Sequence, residues 1–72
     1  MLDSKKLKGK MVEAGYTQGQ LAKKIGVSEN TLTRKLNGKR DFTIGEVDRI
    51  CDILSIHDGV TKAQIFLGRV TQ

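Results

Sequence analysis

At 72 residues the chain is long enough for one domain whose modest core buries only about 60% of the unfolded surface, leaving little room for a second domain or a ligand pocket. Its formal charge of +5 favours an anionic partner, and the single cysteine, Cys51, cannot close an internal disulfide, which points to a reduced compartment. No apolar run approaches the ~20 residues of a membrane span, and the opening Met-Leu-Asp-Ser-Lys-Lys lacks the apolar stretch of a secretion signal, so the expected location is the cytoplasm, with no membrane partner.

Five helices are expected in chain order, and each opens the same way: an apolar residue, a capping side chain, then an apolar residue four positions into the helix. Leu2, Asp3 and Leu7 open the first, which runs through Met11 to Gly15. Tyr16, Thr17 and Leu21 open the second, where Thr17 and Gln20 have the spacing of a capping box and Leu21, Ala22 and Ile25 line one face. Gly26 then supplies the left-handed residue on which the chain can turn sharply. Val27, Ser28 and Leu32 open the third, Leu32 and Leu36 point inward together, and Asn37-Gly38 ends it. Phe42, Thr43 and Val47 open the fourth, with Glu46 completing a second capping box and Ile44, Val47, Ile50, Cys51 and Leu54 forming an apolar stripe. Val60, Thr61 and Ile65 open a short fifth helix with Gln64 in the box position and Gly68 as its stop, leaving residues 69–72 as a frayed tail. Without proline, alternating apolar runs or low-complexity segments, residues 1–72 read as a single all-α domain with a core over about 3–67.

Residues 17–39 have the layout of two short helices joined by a tight turn, the second presenting polar side chains to solvent. With Leu32 and Leu36 inward, the first turns of the third helix expose Glu29, Asn30, Thr33 and Arg34 next to Ser28, with Lys35 toward the flank. This is a repertoire for reading base edges: Arg pairs with guanine, Asn with adenine, Glu accepts from cytosine, and a Thr methyl rests on the thymine methyl. For Glu29 the plainer alternative is a favourable place against the positive end of the helix dipole.

Charge follows the same division. Through Arg40, ten Lys and Arg oppose three acids, a net +7, whereas from Asp41 onward the balance is −2. The basic half contains the candidate reading helix, as attraction to a phosphate backbone requires. Lys39 and Arg40, just past that helix, are expected on phosphates together with Gln18, Lys35 and Asn37; Lys5, Lys6 and Lys8 read as an ordinary solvated face. Gln18 lies beside exposed amides at a helix start, a place that attracts phosphate. Thr43 and the amides after it offer a second such place, unless Thr43 acts as a cap alone. Enzyme chemistry has little to work with: His57 is the only histidine, in a loop beside Asp58-Gly59, and no carboxylate pair or phosphate-cradling loop stands in a suitable context, so no cofactor, metal or small-molecule ligand is expected.

Gln18, Leu21-Ala22, Gly26, Val27-Ser28, Leu32 and Asn37-Gly38-Lys39 together resemble the phage Cro and lambda-repressor type of helix-turn-helix domain, often called the XRE family, over about residues 3–67. The stretch RKLNGKRDFTIGEVDRICDIL is further similar to small phage-type regulators in which a basic pair, an aromatic residue and a capped fourth helix follow the reading helix. The resemblance implies a compact five-helix fold with the helix-turn-helix at helices two and three. It also implies a Gln18 that touches phosphate and buttresses the third helix, and binding to palindromic operators on double-stranded DNA as a homodimer. Gly19 departs from the pattern, where a better helix former is common. Dimerisation also follows from size, since one small helix covers only a few base pairs. The run Ile65-Phe66-Leu67 offers Phe66 or Leu67 as the contact, unless both tuck into the core beside the first helix. The expected function is a sequence-specific transcriptional regulator, a phage or prophage repressor. The alternative is an antitoxin or protein-interaction adaptor on the same fold.

Overall fold

In a computed structural model of the protein, residues 2–66 and 70–71 are described. The elements are α1 (Ser4–Ala14), α2 (Gln18–Ile25), α3 (Glu29–Leu36), β1 (Phe42–Thr43), α4 (Ile44–Ile53), α5 (Gly59–Phe66) and β2 (Val70–Thr71).

Four of the expected caps start their helices. Asp3 Oδ1 accepts from the Lys6 amide at 3.0 Å, Ser28 Oγ from the Thr31 amide at 3.1 Å, and Thr17 and Thr43 each close a reciprocal capping box, with Gln20 and Glu46. The helix ends obey one rule as well. After α3, Gly38 takes the left-handed conformation (φ 77°), so that its amide reaches Lys35 O at 3.2 Å and the Lys39 amide reaches Arg34 O at 2.9 Å. Gly26 (φ 83°) does the same after α2, which lets Val27 reverse onto the core directly after Ile25. The chain leaves α4 by the same two-bond pattern, but here Ser55 occupies the left-handed position at φ 56°.

One apolar core unites the helices: Leu7 and Met11 of α1, Leu21, Ala22 and Ile25 of α2, Leu32 and Leu36 of α3, Val47, Ile50 and Cys51 of α4, and Ile65 and Phe66 of α5, with Phe42, Leu54 and Ile56 from the connections. Burial pushes the Cys51 thiol above its ordinary range. Ile44 is 45% exposed, so the α4 stripe starts at Val47. Among the described residues no helix is long and apolar enough to cross a membrane.

Three expectations are corrected here. First, α5 begins at Gly59 and not after Thr61: Asp58 Oδ2 accepts from the Thr61 amide at 2.8 Å, making Asp58 the cap, and hydrogen bonding from Thr61 holds the Asp58 carboxyl below its usual range. Second, of the two places open to Phe66 the structure shows the core. It is 3% exposed and meets Phe42 edge-on, with ring centroids 5.6 Å apart at 86°. Leu67, the other candidate, lies outside the described residues. Third, Val70 and Thr71, expected in a frayed tail, pair in parallel with Phe42 and Thr43.

Ser55 carries the strain of a left-handed backbone with a side chain attached, so Ser55→Gly is expected to raise the unfolding free energy by about 1 kcal/mol in a urea titration.

Candidate nucleic-acid interface

On α3, burial of Leu32, Lys35 and Leu36 turns the opposite face outward. Glu29, Asn30 and Arg34 are exposed on it and Thr33 is half-buried. Gln18, the first residue of α2, reaches across: its Nε2 donates to Thr33 Oγ1 at 3.4 Å, while Thr33 Oγ1 donates to Glu29 O at 2.9 Å. Gln18 therefore ties the start of α2 to the middle of α3 and engages the Thr33 hydroxyl. Ser28 Oγ accepts from the Thr31 amide and donates to Thr31 Oγ1 at 2.9 Å, so its hydroxyl is committed to the cap, with one lone pair left over.

Beyond α3, Asn37, Lys39 and Arg40 are all exposed, on the turn that Gly38 forms. Thr43 is half-buried: its hydroxyl accepts from the Glu46 amide at 3.1 Å and its own amide donates to Glu46 Oε1 at 2.9 Å. His57 is exposed. Of the residues read as a solvated basic face, Lys5, Lys6 and Lys8 are exposed, and Lys6 Nζ donates to Gln64 Oε1 on α5.

Lys35 does not stand with these cations, which corrects its assignment to phosphate. It is 5% exposed, its Nζ lies 2.5 Å from Glu46 Oε1, and it sits 5.9 Å from the centre of the Phe42 ring. The spacing signal was present in the sequence, because a residue three after Leu32 shares its face; the charged residue type masked it. Burial pushes the Glu46 carboxyl up, but the Lys35 ammonium and the amide and hydroxyl of Thr43 outweigh it, and the net effect holds Glu46 below its ordinary 4.5. Arg49 was also unforeseen. From α4 its Nη1 donates to Ile25 O at 3.1 Å, satisfying a carbonyl at the end of α2 where a cation also suits the helix dipole.

The arrangement is a short helix with a polar outer face, held from beneath by an ion pair and from the side by Gln18, with a basic turn past its end. The family model of the Cro/C1-type HTH DNA-binding domain matches residues 6–57. No curated protein and no solved structure matches the chain.

Removing one partner of a buried pair strands the other, so Lys35→Ala is expected to cost about 3 kcal/mol, whereas Lys35→Met with Glu46→Gln, which keeps both shapes and the capping box, should unfold near the wild-type urea midpoint. The double variant should also leave the salt dependence of DNA binding unchanged, where loss of a phosphate contact would lower the slope by about 1. Because the folded Glu46 carboxyl is held below 4.5, its stabilisation is present above that pH and is lost as pH falls through the folded value. The double variant should accordingly lose less stability on acidification than the wild type.

Proposed function

The chain belongs to the family of Cro/C1-type helix-turn-helix DNA-binding domains, and we propose that it is a sequence-specific transcriptional regulator, a repressor of phage or prophage type, that docks α3 in the major groove of a palindromic operator as a homodimer. The observation that carries this reading is the division of α3 into a buried face, Leu32, Lys35 and Leu36, and an exposed one, with Glu29, Asn30 and Arg34 outward, and Lys39 and Arg40 just past its end.

Binding follows from that geometry in two parts. The basic half draws the protein to the phosphate backbone, an attraction that is independent of sequence and falls steeply with salt. Gln18 at the start of α2, Asn37, Lys39 and Arg40 beyond α3, and Thr43 at the start of α4 are the groups that grip phosphates and set the register. Within that register Arg34 pairs with a guanine, Asn30 with an adenine, the Thr33 methyl with a thymine methyl and Glu29 with a cytosine amine. Each good pair contributes roughly 1 to 3 kcal/mol of discrimination. Ser28, at the helix start, adds a polar contact there.

The body measures 26 Å in its longest dimension, less than the ~34 Å between successive half-sites on one face of DNA. That size is compatible with two copies on one inverted repeat, where pairing would supply the affinity that one short helix lacks. Similarity of residues 34–54 to small phage-type regulators supports the repressor assignment, and its place of action is the cytoplasm, where the DNA is.

Titration of specific and scrambled duplexes at two salt concentrations tests this reading. Arg34→Ala should relax preference at one base position, about tenfold or more, with the salt slope kept, whereas Lys39→Ala or Arg40→Ala should weaken all duplexes alike and flatten the slope. Equal weakening of every sequence by all three variants contradicts base reading by Arg34. Absence of salt-sensitive binding transfers the fold to a protein-interaction role.

A further inference from the structure

Gly19 stands in the first turn of α2, at a place where glycine is a poorer helix former than any residue but proline. The space its side chain would fill is occupied. A methyl group on Gly19 would stand 3.1 Å from Oε1, 3.5 Å from Cδ and 4.0 Å from Oε2 of Glu29, the first residue of α3. Gly9, Gly45 and Gly59, the other glycines in the described helices, have open space at the corresponding point. A charged group thus rests in the notch left by Gly19 and by none of these others.

Glu29 is exposed, so a berth for its carboxylate is not forced by packing. What the notch provides is position: the carboxylate lies against Gly19 in the first turn of α2. Hydrogen bonds are sensitive to shifts of a few tenths of an ångström, so where this carboxylate can lie bears on what it can accept from.

We propose that Gly19 is a specificity-determining position, one that keeps open the notch beside which the Glu29 carboxylate lies when it accepts from the exocyclic amine of one base in the major groove. Gly19 is a positioning residue and Glu29 the group that touches the base. The proposal rests on α3 entering the major groove. A methyl group at position 19 stands close enough to Oε1 that the flexible carboxylate must shift by a few tenths of an ångström.

The test uses the full chain and the duplex it enriches from a random pool, together with duplexes carrying single base-pair changes. Glu29→Ala is expected to abolish preference at one base pair, by about tenfold or more. Gly19→Ala should weaken preference at that same base pair by about threefold or more, leave the other positions within about twofold, and add nothing in the Gly19→Ala/Glu29→Ala double variant. Gly9→Ala, a change of the same kind in open space, should leave every position alone, and a melting temperature at or above wild type shows that each glycine variant is folded. An unchanged profile in Gly19→Ala, or equal weakening on all duplexes, overturns the proposal while leaving base reading by α3 intact. A wild-type protein with no preference at any base pair overturns both.

Discussion

A helix of two turns has almost no stability of its own, since the cost of nucleating it is not recovered over so few hydrogen bonds. At eight residues, α3 is such a helix, and everything it does at its outer surface depends on what is arranged beneath and around it. Leu32 and Leu36 anchor it in the core, Ser28 satisfies one of its first amides, Gly38 lets its last carbonyls find partners, and Gln18 braces its middle. The polar outer face is therefore a consequence of the inner one: as long as Leu32, Lys35 and Leu36 are buried, Asn30 and Arg34 have nowhere to point but outward.

Lys35 and Glu46 extend this dependence to the next helix. Glu46 accepts from Lys35 and from the amide of Thr43, so one carboxylate caps α4 and anchors the last turn of α3. The segment between them carries Lys39 and Arg40, and the pair thereby sets where the basic turn stands relative to the exposed face of α3. Geometry of this sort supports specificity more than stability, because a buried ion pair is costly to desolvate and is often matched energetically by apolar residues of the same shape. The exposed pairs, Lys10 with Glu13 and Lys62 with Asp48, contribute little to stability by comparison.

Most of this architecture was legible from local rules. The apolar–cap–apolar pattern placed the starts of α1 to α4, and glycine placed the ends of the first three helices, because caps and left-handed residues act within a few positions along the chain. At α5 the same pattern pointed to Thr61, whereas Asp58, three residues earlier and equally suited to capping, is the residue that starts the helix. Long-range features left weaker traces. Nothing in the run Ile65-Phe66-Leu67 says that Phe66 will meet Phe42, nothing near Arg49 points to Ile25 O, and a two-residue bridge between Phe42–Thr43 and Val70–Thr71 joins segments too short to alternate visibly. At the candidate site the outward residues were readable from periodicity. Lys35 was misplaced because its charge was weighed above its spacing from Leu32, and the role of Gly19 was hidden because a glycine in a helix looks like a defect until its neighbour is seen.

The central claim is that α3 reads sequence and that two copies do so together. Selection of duplexes from a fully randomised pool by the wild-type protein tests it most directly. The account predicts an enriched inverted repeat whose half-site centres lie about one helical turn apart; salt-sensitive binding with no enriched sequence would contradict it.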